Sequence, residues 1–313
     1  MKFVIVSPKQ TGGGPIVLYK LAKTLQEQGY DAAVFNIGGV SDNRTEFYYK
    51  QLKYDAKESI KYSLVKLFPK SNFTKRHYQG YAYLPVRGCR KKYLPVVDDD
   101  TVVIYPEILR GNPLHAKHVV RWLLYHNRFP NDSTWYSDTD LFVAYREQFN
   151  DSQLNPDGNL LKIFSFDREL YKRTNYGERN GVCYFIRKGS KRTDLPKHFD
   201  GPVLDLLPET EKVRILNKCE KCYLYDTQTF YASIAALCGC LSIVVPEPGK
   251  TRKDYLKKDD HSCGVAYGEN REEIEYAIQT QEKVADRIDR MLSSNLENTI
   301  SFINLCKKCF HLS

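Results

Sequence analysis

At 313 residues, with 42% hydrophobic and 13% aromatic residues, the chain can bury more than one core, which excludes a disordered segment. No apolar run approaches the roughly 20 residues of a membrane-spanning helix, and the opening MKFVIVSPKQ lacks the features of a signal peptide, so a cytoplasmic location is expected. The net charge of +9 comes wholly from residues 41–95, where 13 Lys or Arg face 4 Asp or Glu. That stretch also holds Tyr48, Tyr49, Tyr54, Tyr62, Tyr78, Tyr81 and Tyr83. Basic plus aromatic suits a nucleic acid, an anionic membrane surface, or a groove for a phosphorylated or sugar acceptor. Taken by itself, the charge is better accounted for by a plain solvated face of a Lys-rich protein.

In chain order, residues 3–7 (FVIVS) read as a buried strand that runs into Thr11-Gly12-Gly13-Gly14 and Pro15. Proline suits a first helical position, and Leu18, Leu21, Ala22 and Leu25 recur at helical spacing until Gly29 closes the helix. A strand at Ala32–Ile37 completes a β-loop-α-β unit, whose right-handed crossover implies parallel strands. Next come a strand at Thr101–Tyr105, a helix over 114–125 and a strand at Leu141–Tyr145. Polar and turn residues dominate 150–180, which is the expected domain boundary. Beyond it follow strand 182–187, helix 209–219, strand 222–225, helix 229–238 and strand 241–245. A long helix over 270–293 and a terminal one over 295–311 close the chain. Two successive β/α series predict two doubly wound α/β domains: 1–160, 161–293, and a C-terminal helix within 294–313 that packs back toward the first.

Nine cysteines, an odd number, do not suggest a disulfide framework in a chain of this size. The pairs Cys219/Cys222 and Cys306/Cys309 lack the spacing of a zinc ribbon, and Cys222, Cys238 and Cys240 read as small core hydrophobes. No metal is expected. Asp98-Asp99-Asp100 and Asp138-Thr139-Asp140 each contain Asp-x-Asp, but both precede strands, at the edge away from where ligands bind.

Ligands of open parallel sheets bind beyond the carboxyl ends of the strands, which leaves four candidate sites. Gly12, Gly13 and Gly14 combine bare backbone with a helix N-terminus, although the dinucleotide fingerprint is absent. Arg187 and Lys188, at a strand exit before Gly189, can neutralise a diphosphate or form an ordinary basic turn. Tyr225-Asp226-Thr227-Gln228-Thr229 leads into a helix whose N-terminus favours phosphate, with Thr227 and Thr229 as capping residues. Glu107, after Tyr105-Pro106, and His126, before Asn127, are candidate general bases or substrate hydrogen-bonding groups.

These stretches together resemble GT-B glycosyltransferases, in particular those of bacterial surface-polysaccharide assembly. The resemblance is carried by Gly12–Gly14 with LYKLAKTLQEQGYD, by VVIYPEILRGNP with VVRWLLYHN, and by YDTQTFYASIAALCGCLSIVVPEPG followed by GVAYG. It implies two Rossmann-like domains facing each other across a cleft, the second binding a nucleotide-sugar donor and the first a glycan or lipid-linked acceptor. Arg187 and Lys188 would hold the diphosphate, and Gly12–Gly14 would lie against donor phosphate or acceptor. Many retaining members carry two glutamates eight positions apart; here Asp226 stands at the first place and Ile234 at the second, so stereochemistry stays open. The expected function is transfer of a sugar from a nucleoside-diphosphate donor, with Glu107, His126 and Asp226 as catalytic candidates and no cofactor or metal. Basic side chains and a helix end would stabilise the leaving diphosphate. The 41–95 stretch would meet the acceptor or the inner face of a membrane, and nucleic acid is not an expected partner. A sugar-nucleotide epimerase of the same fold and a non-catalytic nucleotide- or glycan-binding protein are the alternatives, with a nucleic-acid-binding protein a third on charge alone.

Overall fold

Phe3, Val4, Ile5 and Val6 lie inside β1 (Lys2–Pro8), and their alternation feeds two separate apolar layers. The strands β2 (Asp31–Ile37), β3 (Arg90–Lys91), β4 (Thr101–Pro106), β5 (His118–Leu123) and β6 (Leu141–Ala144) join β1 in one sheet. All pairs are parallel, in the order β3-β2-β1-β4-β5-β6. This computed structural model describes residues 1–8, 13–39, 44–68, 90–91, 95–128, 133–256 and 262–312. The chain divides into one unit of Met1–Ser165 with Leu292–Ser313 and a second of Phe166–Met291.

Central parallel strands are covered on both faces, which is why β1, β4 and β5 read as nearly unbroken apolar runs. Phe3 and Ile5 face a layer formed by Leu18, Leu21, Ala22 and Leu25 of α1 (Gly13–Glu27), with Trp122, Phe302 and Ile303. Val4 and Val6 face Phe35, Val103, Tyr105 and Phe47, the last from α2 (Arg44–Leu67). Each of the Val, Leu, Ile and Phe side chains among them contributes about 1.5–3 kcal/mol by leaving water. The chain leaves α1 through Gly29, at φ 83, whose N–H donates to the Gln26 carbonyl at 2.9 Å.

The helix expected over 114–125 is not formed; its second half is β5, buried along its whole length. Val119, Val120, Trp122 and Leu123 are apolar on both faces of a strand, and at short range that pattern mimics a helical stripe. Arg121 enters this interior because Asp140 lies 2.8 Å from its Nε, both side chains being less than 5% exposed (2% and 4%). The β4–β5 connection is instead a loop pinned by Asn112. Asn112 accepts from the Tyr105 hydroxyl at 3.0 Å and from the Ala116 N–H at 3.0 Å, and donates to the Ala116 carbonyl at 2.7 Å.

In the second unit β7 (Val182–Phe185), β8 (Lys221–Leu224), β9 (Leu241–Val244) and β10 (Val265–Tyr267) form a parallel sheet ordered β10-β9-β8-β7. Between them lie α3 (Glu209–Lys218), α4 (Tyr231–Leu237) and the single turn α5 (Arg252–Tyr255). Cys183, Cys222, Cys238 and Cys240 are fully buried beneath these strands. Burial pushes the Cys222 thiol up and the Cys238 thiol up to about 12, so both behave as apolar groups.

The two terminal helices break elsewhere than expected. α6 (Arg271–Thr280) starts at Asn270, whose side chain accepts from the Glu273 N–H, and ends at Thr280. α7 (Lys283–Phe310) then runs without interruption through 293–295. No glycine or proline marks either place. The break follows tertiary bonds: Thr280 Oγ1 accepts from the Gly264 N–H at 2.8 Å, and Gln281 donates to the Cys240 carbonyl at 3.2 Å. Asn295 is no cap; it exchanges two 2.7 Å hydrogen bonds with the backbone of Phe164.

Candidate functional site

In the second unit the carboxyl end of β7 turns sharply out of the sheet. The N–H groups of Ile186 and Arg187 both donate to the Asp205 carboxylate, at 3.1 and 2.8 Å. A tight turn, Arg187–Lys191, follows. Its Gly189 lies against the Tyr225 backbone so closely that a Cβ would fall 2.5 Å from the Tyr225 carbonyl oxygen. Glycine is therefore required there by contact. Arg187 itself holds φ 43, a region that non-glycine residues rarely occupy, at a cost of about 1–3 kcal/mol.

That backbone aims the Arg187 guanidinium across the end of β8. Its carbon lies 5.0 Å from the centre of the Tyr231 ring, Nε is 4.0 Å from the Asp226 carboxylate, and Nη1 is 3.5 Å from Thr229 Oγ1. The arginine side chain is 43% exposed and the aspartate 6%. The structure thus brings Arg187, Asp226 and Thr229 together at one sheet edge, with Lys188 exposed in the adjoining turn.

The capping expectation needs correction. The cap position of α4 is Phe230, which makes no side-chain capping bond. Thr229 instead accepts from the Tyr231 N–H through its hydroxyl (3.3 Å) and from the Ala232 N–H through its carbonyl (3.3 Å). Among the described residues Thr227 makes no capping bond; it is half-buried in the turn. The first N–H groups of the helix are thus already engaged, and charge at this edge comes chiefly from Arg187.

Sequence reasoning missed the group that supports Arg187. Glu209 accepts from Lys212, Tyr231 and Tyr171, each at 2.7 Å. Burial pushes its carboxyl upward, but these three donors prevail and hold it below the usual carboxylate range. Tyr231 is clamped further by Phe185, stacked at 4.3 Å, and by Lys212, which donates to its hydroxyl at 3.1 Å. Nothing in the spacing of these residues signals the cluster, because Tyr171 lies 38 positions from Glu209. Arg192, also missed, joins the ends of β8 and β9 by donating to the carbonyls of Tyr225, Val245 and Pro246.

In the first unit the strand order reverses between β1 and β4, and ligands of such sheets bind at that switch point, beyond the carboxyl ends. Glu107 stands there, directly after β4, and accepts from the Leu124 N–H at 3.1 Å. Burial raises its carboxyl above the ordinary value. A Cβ at Gly14 would touch the Leu124 side chain at 3.5 Å, so Gly14, Leu124 and Glu107 form one corner. Gly13 opens α1, and Gly12 lies outside the described residues. His126 is exposed and packs with Tyr125 and Phe149, at ring distances of 4.8 and 5.2 Å. Asp98 is bound by Lys2 and Thr101, which hold its carboxyl down at about 2, and Asp140 is the partner of Arg121.

No protein-family model matches the chain, and no curated protein does. Among solved structures it is similar to a glycosyltransferase from Rickettsia africae ESF-5, at 10% identity over 100% of this chain and 99% of that one, with a TM-score of 0.45. It is also similar to the glycosyltransferase SnogD from Streptomyces nogalater, at 11% identity over 97% and 99%, with a TM-score of 0.42. A third similar structure is the T4 phage BGT in complex with its UDP-glucose substrate, at 10% identity over 99% and 98%, with a TM-score of 0.37.

Proposed function

We propose that the chain is a glycosyltransferase of the GT-B class that takes a sugar from a nucleoside-diphosphate donor. The observation that carries this reading is the Arg187 guanidinium. It is set on a strained backbone at the carboxyl edge of a parallel sheet, held over Tyr231 and left half-exposed beside the buried Asp226. Such a fork suits the paired oxygens of a diphosphate, and it is positioned before any substrate arrives. As the sugar leaves, negative charge grows on the diphosphate, and a preorganised cation stabilises that charge more than the ground state. Lys188 adds a second positive charge, while Asp226 accepts from a donor-sugar hydroxyl.

The first unit receives the acceptor at the Glu107–Gly14 corner. A carboxyl raised by burial is suited to taking a proton from an acceptor hydroxyl. The acceptor is a glycan or a lipid-linked glycan of surface-polysaccharide synthesis, reached at the inner face of a membrane; this part of the reading rests on the sequence resemblance. The reaction as read here uses no metal.

Thermal shift with UDP, GDP, CDP, ADP and dTDP tests the donor site. One of them, at about 100 times its dissociation constant, should stabilise the fold by about 2.7 kcal/mol. Arg187→Ala should abolish that response without unfolding the protein. A chain that responds to none of the five at millimolar concentration is not a transferase of this kind. Nucleotide release that needs no acceptor would instead favour an epimerase or a hydrolytic side reaction.

A further inference from the structure

The seat of Arg187 is an aromatic ring more than an anion. Asp226 and Thr229 stand 4.0 and 3.5 Å from its guanidinium, neither close enough for a strong hydrogen bond. The centre of the Tyr231 ring lies 5.0 Å from the guanidinium carbon, a cation–π distance. A second cation shares that ring. The Lys212 ammonium is 4.9 Å from the ring centre and donates to the Tyr231 hydroxyl at 3.1 Å. Two positive charges at one ring repel each other unless one of them is balanced.

Glu209 supplies the balance. It opens α3, where a carboxylate suits the helix N-terminus, and Lys212 follows three residues later on the same face. One carboxylate oxygen accepts from the Lys212 ammonium and from the Tyr231 hydroxyl, the other from the Tyr171 hydroxyl, each at 2.7 Å. The Glu209 and Lys212 side chains are only 14% and 7% exposed. An ion pair taken so far out of water adds little stability, because desolvation offsets the attraction. Its place is the more informative property: it lies one ring away from the cation at the carboxyl edge of the sheet.

We infer that Glu209 is a positioning residue for the donor diphosphate: it neutralises Lys212 and fixes the Tyr231 hydroxyl, and so keeps the ring as the seat of the Arg187 guanidinium. The inference rests on the transferase reading, which assigns the diphosphate to Arg187. The experiment is titration calorimetry of the full chain with the nucleoside diphosphate that stabilises it and with the matching monophosphate, beside urea midpoints. Glu209→Gln keeps an acceptor for both tyrosine hydroxyls but leaves a charged Lys212 beside the ring. It should weaken the diphosphate about ten-fold and change the monophosphate by about two-fold at most. Adding Lys212→Met to it removes both charges and should return the diphosphate to within about two-fold of the wild type. Tyr231→Phe keeps the ring without its tie to Glu209. It should show a smaller loss of the same kind, and it tests the inference if Glu209→Gln fails to fold. Wild-type binding by both single variants overturns the inference and leaves the donor reading intact. So does an equal loss for the two nucleotides that Lys212→Met does not recover, which would make Glu209 structural only. A wild type that answers no nucleoside diphosphate sinks the donor reading, and the inference with it.

Discussion

Burial raises the Glu107 carboxyl above its ordinary value near 4.5, so the folded chain favours the protonated acid. The native state then binds more protons than the unfolded chain, and stability falls as pH rises from about 4.5 through the folded value. Glu107→Gln keeps an acceptor for the Leu124 N–H and removes the buried charge. The variant should melt no lower than the wild type at pH 7 and should lose that decline. Transfer should fall about 10²-fold or more if Glu107 moves a proton. Melting temperature against pH, beside acceptor-dependent nucleotide release, separates these effects; a lower melting temperature at pH 7 would make Glu107 a structural acceptor only. At this scale the sequence was informative wherever chemistry follows from the position of a residue after a strand. Arg187, Asp226 and Glu107 were all marked by that rule. Glu209, Lys212 and Tyr171 were not, because their meeting depends on how α3 packs beside α4, which spacing along the chain does not encode.

Among the elements, the turn Arg187–Lys191 depends on a glycine for close approach. Gly189→Ala would push a methyl group into the Tyr225 carbonyl and cost about 1–3 kcal/mol. It should also displace Arg187 and Asp226 and weaken nucleotide binding beyond what the lost stability explains. Gly201 provides a matched control, since a Cβ there would fall 2.0 Å from the Val182 carbonyl at the opposite end of β7. Gly201→Ala should destabilise comparably and leave the nucleotide dissociation constant unchanged; titration calorimetry on both variants, beside their urea midpoints, tests this. α1 was legible from its 3.6-residue period and Gly29, and β1 and β4 from short unbroken β-branched runs. β5 was not legible. Its apolar run is interrupted by the buried Arg121, whose partner Asp140 is distant in sequence, and that polar position imitates the polar side of a helix.

Over the whole molecule, the last part of α7 completes the core of the first unit. Phe302, Ile303 and Cys306 are buried with Phe3, and Asn295 satisfies both backbone groups of Phe164. Asn295→Ala removes both of these part-buried hydrogen bonds, at a cost of about 1–3 kcal/mol. Urea unfolding should show the first unit melting earlier, while the nucleotide response of the second persists; loss of both together would mean that the units unfold as one. The sequence by itself determined the α/β class, the parallel strands and the carboxyl-edge position of Arg187, Lys188, Asp226 and Glu107. Each of those follows from local periodicity and from the chirality that makes β-α-β crossovers right-handed. Only the tertiary structure decided that 118–123 is a strand, that α6 stops at Thr280 and that α7 continues past 293. It also decided that Tyr231 and Glu209 support Arg187. Those outcomes depend on hydrogen bonds and ion pairs between residues far apart in the chain, and the energy of such contacts exists only once the fold has brought the partners together.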